Sequence, residues 1–275
     1  MDKSYNPSKA AQYWNKRLEE NPPLQAILHI SLPDYANRTF DKWTQSIIKK
    51  NLSNIKGRKV LDVGCGVGRN LIPLAKMGAK VTGVDIAPKM LDTCLNEVKK
   101  TKVEENVGLK KADIINLPFE DGKFDLVVCT EVLFHLTDDV LPKAISELGR
   151  VLKKNGFCIT TLNNHNCRAY RKVKNMTTQR EDGYFFTIRN LDKVEKIFKN
   201  NKLEETYKFG YTFSSSLNNL SLLPGLGRFI GKFRKKHNFP LNLFYKIAGF
   251  LDGHFNSRFL AKHFANLYLI FYKKI

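Results

Sequence analysis

The 275-residue sequence has no apolar run approaching the roughly 20 residues that a membrane-spanning helix needs. Its first 20 residues, MDKSYNPSKA AQYWNKRLEE, hold no apolar stretch of the kind found in a secretory leader. Cysteine is scarce and odd in number: Cys65, Cys94, Cys129, Cys158 and Cys167, with no CxxC and no Cys/His ligand spacing. That pattern gives neither a disulfide framework nor a zinc site, and no metal is expected. Reduced thiols in a cytoplasmic protein are the reading. Acids are also short: 26 Asp and Glu against 46 Lys and Arg, a net charge of +20. Half of that excess falls between Tyr207 and Ile275, where eleven Lys and Arg face the lone acid Asp252. An anionic partner suits such a stretch, whether nucleic acid, a phosphorylated substrate or a membrane surface; a merely solvated face is the plain alternative.

What is present is globular. A 43% hydrophobic and 11% aromatic composition rules out disorder and is enough to bury a core. Ser8 is an N-cap candidate for a helix carrying Ala11, Trp14, Arg17 and Leu18 at helical spacing, which Asn21-Pro22-Pro23 stops. A second helix is expected from about Phe40 to Leu52. Short apolar runs then alternate with helical patterns. Strands are expected at Lys59–Val63, Lys80–Asp85, Val107–Lys111, Phe124–Cys129 and Phe157–Leu162. Helices are expected at Arg69–Met77, from Pro88, and at Leu141–Leu152. This alternation predicts a doubly wound parallel α/β sheet covered on both faces. Beyond Asn163 the pattern loosens. Residues 164–186 read as loop, Leu191, Val194, Ile197 and Phe198 as a helix, Tyr207–Phe213 as a strand, and the run from Asn266 as a final strand.

The strongest signal is Asp62-Val63-Gly64-Cys65-Gly66-Val67-Gly68-Arg69. A Gly-rich turn between strand and helix lets a ligand approach the backbone. The dinucleotide pattern G-x-G-x-x-G would need Gly or Ala at Arg69, so NAD is disfavoured. Asp85 ends the next strand and Asp113 follows the third, so Asp62, Asp85 and Asp113 all fall at or near the carboxyl ends of strands, where open α/β sheets bind ligands. A carboxylate placed as Asp85 is can accept from both hydroxyls of a ribose.

Five segments in this order, VLDVGCGVGRN (60–70), VTGVDIAPKML (81–91), ADIINLPFEDGKFDLVVC (112–129), TEVLFHLTD (130–138) and RVLKKNGFCITTLN (150–163), make the sequence resemble the class I S-adenosylmethionine-dependent methyltransferases. The likeness is to the small-molecule group related to ubiquinone and menaquinone methyltransferases, and it is close over residues 58–163. It implies S-adenosyl-L-methionine as cofactor and a Rossmann-like sheet of seven strands, the last antiparallel. It also implies an N-terminal helical cap and an insertion before that last strand. Gly64, Gly66 and Gly68 would shape the methionine turn. Asp62 would fix it or meet the methionine amine, and Asp85 would hold the ribose. Ile86 and Met90 would flank the adenine, Asp113 and the Ile114 amide would read its edge, and Thr130 and Glu131 would wall the sulfonium.

Domain bounds follow from the same likeness: a cap over 1–57, the cofactor-binding core over 58–213, a basic apolar insertion over 214–265 and a final strand over 266–275. His135 is the candidate general base, or else it orients a loop. Tyr13 and Trp14 either cover the cofactor or pack on the sheet edge. His165, Tyr170 and Tyr184 lie in the region expected to face substrate. Between Leu222 and Lys236 apolar and basic residues interleave, which suits either an interfacial segment reaching a lipid-like acceptor across an anionic membrane or a packed cap. The expected activity is methyl transfer to a small hydrophobic or lipid-like acceptor. RNA methylation and non-catalytic cofactor binding are the alternatives, and no RNA-binding module is visible.

Overall fold

The computed structural model describes residues 4–28, 34–52, 54–167, 176–211 and 267–275. Tyr170, the basic stretch Leu222–Lys236 and the whole of the expected insertion lie outside the described residues.

Three helices come first: α1 (Pro7–Glu20), α2 (Pro23–Ile27) and α3 (Asp34–Asn51). Asn6, not Ser8, caps α1; its side chain accepts the Lys9 amide while Pro7 occupies the first turn. Proline there presets φ and lacks only an N–H that would be orphaned anyway. Asn21 ends α1 as expected, but Pro23, the last residue of the expected stop, opens the short α2. The second long helix starts at Asp34, six residues ahead of Phe40.

The α/β core runs β1 (Lys59–Val63), α4 (Leu71–Lys76), β2 (Lys80–Asp85), α5 (Pro88–Lys100), β3 (Val107–Lys111), β4 (Phe124–Cys129), α6 (Leu141–Val151) and β5 (Leu152–Asn163). A two-stranded hairpin follows, β6 (Thr177–Gln179) and β7 (Phe185–Thr187). The chain closes with α7 (Leu191–Asn200), β8 (Leu203–Gly210) and β9 (Leu267–Lys274). The hairpin corrects the loop expected over 164–186. β5 begins five residues earlier than expected, and β8 sits four residues ahead of the expected Tyr207 start.

The main sheet has seven strands in the order β3-β2-β1-β4-β5-β9-β8. Neighbours from β3 through β5 pair in parallel, while β9 pairs antiparallel with both β5 and β8. This is the doubly wound Rossmann-like sheet with an antiparallel last strand that the resemblance implied. Strand alternation divides the core into two layers. In β4, Val127 and Cys129 face one layer with Ile145 and Leu148 of α6, whereas Leu126 and Val128 face the other with Leu71 and Leu74 of α4. In β9, Tyr268, Ile270 and Tyr272 point one way and Leu267, Leu269 and Phe271 the other. Truncating a fully buried member such as Leu148 to Ala should cost about 2–5 kcal/mol. The chain winds from β1 toward β3 and then returns to place β4 on the opposite side of β1. The carboxyl ends of β1 and β4 therefore flank the crevice where such sheets hold ligands.

Among the described residues no helix is long and apolar enough to cross a membrane. The five cysteines are buried, and none is in a disulfide among the described residues.

Candidate active site at the switch point

The crevice is an open cleft of about 900 Å³, the solvent at its mouth included. Ten of the twelve expected site residues line it: Gly64, Gly66, Asp85, Ile86, Met90, Asp113, Ile114, Thr130, Glu131 and His135. Asp62, buried in β1, and Gly68, at the far end of the glycine turn, do not. The N-terminal region closes another side of the cleft, through Tyr5 ahead of α1, Ala10 and Trp14 of α1, and Ile27 of α2.

The turn after β1 depends on backbone that only glycine adopts easily. Gly64 has φ +69°, and a Cβ there would lie 2.4 Å from Val132 Cγ2. The amides of Gly64 and Cys65 both donate to the Val84 carbonyl, at 2.8 and 3.0 Å, which ties the turn to the end of β2. Asp85 finishes the job. Its Oδ2 accepts the Gly66 amide and its Oδ1 the Ala87 amide, each at 2.9 Å. Each oxygen keeps a second lone pair, so the carboxylate that fixes the turn can also accept from two hydroxyls.

On the opposite lip, Thr130 Oγ1 takes hydrogen bonds from Arg69 Nη2 at 2.9 Å and Asn70 Nδ2 at 2.7 Å. Arg69 also pairs with Asp41 of α3 at 3.3 Å, and its side chain is 5% exposed. Next to Thr130, Glu131 adopts φ +61°, a left-handed conformation that is costly for a residue other than glycine. Its amide donates to Thr161 Oγ1 at 2.6 Å, and its Oε1 is buried without a partner. Burial raises the Glu131 carboxyl above its usual value, with Arg69 opposing. Burial likewise raises Asp85 and Asp113. The effect is largest at Asp62, whose carboxyl burial pushes up to about 7 against the pull of Arg69.

S-adenosylmethionine carries a sulfonium and an ammonium against a single carboxylate, a net positive charge. Among the described lining residues, Asp85, Asp113 and Glu131 face the cleft, and Arg69 is the one permanently cationic side chain. An excess of desolvated carboxylates, with Glu131 Oε1 unpartnered, suits a ligand of net positive charge. The residues present fit the group.

His135 lines the cleft from a short 3₁₀ turn, Leu133–His135. Its ring contacts Trp14 at 4.9 Å and lies near Phe134, Tyr184 and Phe186. Tyr13 turns away from the cleft to meet Tyr184, and its hydroxyl accepts from Arg17 Nη1 at 3.0 Å. So of the expected aromatic pair, Trp14 alone reaches the wall. Tyr184 stands behind His135, and His165 is absent from the lining with its Nδ1 buried and unpartnered. Sequence reasoning missed Tyr5, Ala10, Ile27, Asn70 and Val132, and used Arg69 only to exclude a dinucleotide motif. The positive φ of Glu131 had no signal in the sequence. Arg69 and Asn70, standing inside the glycine motif, did.

Residues 60–156 match the family model described as a methyltransferase domain. Over 116 residues the chain is 34% identical to a ubiquinone biosynthesis O-methyltransferase of Coxiella burnetii, covering 42% of this chain and 48% of that protein. Over 97 residues it is 36% identical to norajmaline N-methyltransferase of Rauvolfia serpentina, covering 35% and 32%. The matched stretch thus spans about half or less of these relatives' length. Among solved structures, magnesium protoporphyrin IX methyltransferase from Synechocystis with bound cofactor superposes with a TM-score of 0.57 at 20% identity, covering 76% of this chain and 92% of that one. The [4+2]-cyclase SpnF superposes equally well, at 0.57 and 16% identity over 85% and 80%. The likeness to these structures is one of fold alone.

Proposed function

Since its α/β core is a class I S-adenosylmethionine-dependent methyltransferase domain, we propose that the whole protein transfers a methyl group to a small hydrophobic or lipid-like acceptor. One observation carries this reading: Asp85, Asp113, Thr130 and Glu131 converge with the Gly64–Gly66 turn on a single cleft at the switch point. In that cleft Asp85 would accept the ribose hydroxyls, Ile86 and Met90 would flank the adenine, and Asp113 with the Ile114 amide would read its edge. The Gly64 and Gly66 backbone would pass the methionine chain, with Thr130 and Glu131 beside the sulfonium. Asp62, buried in β1, would act through its charge.

Bound there, the cofactor supplies an activated methyl group, and the protein's task is alignment and exclusion of water. Trp14, Ile27, Val132 and Leu136 provide apolar walls for both. A base is required only when the acceptor's proton has a high pKa. His135 is our candidate. The apolar walls, together with relatives named for ubiquinone biosynthesis and for norajmaline, support a small hydrophobic acceptor.

Calorimetry with S-adenosylhomocysteine, followed by radiolabelled methyl transfer to lipid, small polar, RNA and protein fractions, tests the reading. Label in a lipid or small-molecule fraction is the expected result. Label in RNA would install nucleic acid as the partner. Tight cofactor binding without turnover on any fraction would mark a non-catalytic protein.

A further inference from the structure

Tyr5 reaches into the cleft from the short segment ahead of α1. Its hydroxyl donates to Asp113 Oδ1 at 3.1 Å, across 108 residues of sequence. The same oxygen accepts the Ile115 amide at 3.2 Å. The segment is held in place. Asn6 caps the helix that follows, and the Tyr5 ring packs on the apolar cluster that includes Ile114 and Leu117. Burial, with the neighbouring Asp113 and Asp85 carboxylates, keeps the phenol protonated far above the usual range, so Tyr5 is a permanent donor.

What that donor does depends on the chemistry of a half-buried carboxyl. Burial favours the neutral acid, while a donated hydrogen bond favours the carboxylate. Both effects act on Asp113. The two forms recognise different partners: a carboxylate only accepts, whereas a carboxylic acid also donates. With Oδ1 holding two donors, Oδ2 is the oxygen available to a ligand. Adenine offers an amino hydrogen at its 6-position, and hypoxanthine offers a carbonyl oxygen there. An accepting Asp113 suits the first and repels the second.

We propose that Tyr5 is the specificity-determining residue of the nucleoside end: by donating to Asp113 it holds that side chain as a pure acceptor, so the cleft takes a 6-amino purine and rejects its 6-oxo counterpart. This rests on the function proposed above, in which Asp113 meets the base edge. Sites that hydrogen-bond a particular ligand group discriminate by leaving a buried polar atom mismatched when the wrong ligand enters. Tyr5 sets which ligand is the wrong one.

The experiment measures dissociation constants of S-adenosylhomocysteine and S-inosylhomocysteine by calorimetry, on the unaltered protein, on Tyr5→Phe and on Asn6→Ala. Tyr5→Phe keeps the ring and its packing and removes only the donor. Its affinity for the adenosyl ligand should fall about tenfold, the size of one hydrogen bond to a charged group. Its affinity for the inosyl ligand should hold or rise, so that discrimination shrinks. In Tyr5→Phe, adenosyl affinity should also begin to fall at a higher pH on acidification. Asn6→Ala loosens the segment but keeps the phenol, and should weaken both ligands in parallel. Equal losses for both ligands in Tyr5→Phe, or no change in either, would overturn the proposal and leave the methyltransferase reading intact. Failure of the unaltered protein to bind either ligand would overturn both.

Discussion

The Nδ1 of His135 lies 2.7 Å from the carbonyl oxygen of Phe185 in β7. A carbonyl can only accept, so Nδ1 carries the hydrogen, and in the neutral ring the lone pair is on Nε2. The hairpin thereby sets the tautomer of a residue that lines the cleft. If Nε2 removes a proton from the acceptor, His135→Gln should lower kcat by about 100-fold or more, and the rising limb of the pH profile should vanish. Cofactor affinity should change little. A kcat within a few-fold of the unaltered enzyme would make His135 a packing residue among its four aromatic neighbours.

The hairpin also touches α1. Gly183 has φ +94°, and a Cβ on it would lie 2.4 Å from the Lys9 carbonyl oxygen. Backbone cannot yield as a flexible side chain can, so Gly183→Ala must push the turn and α1 apart. That movement would disturb both Trp14 and the Phe185 contact. We expect KM for the acceptor to rise several-fold and α1 to become more sensitive to limited proteolysis, with the melting of the sheet little changed. Unaltered proteolysis would mean that the contact is idle.

Much of this was legible in the sequence because most of the cofactor wall is local. Gly64, Gly66, Asp85 and Asp113 sit at strand ends, and the strands show themselves by alternation and burial. Three things hid from such reading. β5 opens with Leu152-Lys153-Lys154-Asn155, whose polar residues conceal a strand paired at its end with β4. β6 is three exposed polar residues, Thr177, Thr178 and Gln179, and is a strand only because β7 lies beside it. Tyr5 and Arg69 find their partners 108 and 61 residues away, a separation no spacing rule reaches.

Asp62 predicts a pH dependence. Its carboxyl titrates at about 7 in the folded chain and near the ordinary value of 3.8 when unfolded. Between those values the folded state holds the extra proton, so this group's contribution to stability is full in acid and declines as pH rises from about 4 to about 7. Above that range the loss is complete. Asp62→Asn removes the titration, so at pH 8 the variant should melt no lower than the unaltered protein, and a few degrees higher if nothing else shifts. A cationic ligand favours the carboxylate, so cofactor affinity should climb with pH up to about 7 and then level off. In Asp62→Asn that climb should be shallower and the plateau lower. Parallel pH profiles in the two proteins would remove Asp62 from cofactor binding.

The segment from Leu222 to Lys236 yields a prediction from sequence alone. It carries Arg228, Lys232, Arg234, Lys235 and Lys236 with no acid, beside Leu222, Leu223, Leu226, Phe229, Ile230 and Phe233. Near an anionic bilayer each such cation contributes about 1 kcal/mol, and salt screens it. Apolar insertion adds a part that salt does not screen. The protein should sediment with anionic liposomes at low salt, less so at high salt, and not with neutral ones. Phe229→Ser together with Phe233→Ser should weaken the binding at low salt and abolish what persists at high salt, because charge alone leaves only the screened part. Bulk tRNA run alongside separates the two kinds of anionic partner. RNA binding would share the salt dependence without needing the two rings, unless they stack on bases. Retention on tRNA with none on anionic liposomes would replace the membrane with nucleic acid as the partner, and retention on neither would mean that the positive charge of this stretch recruits nothing.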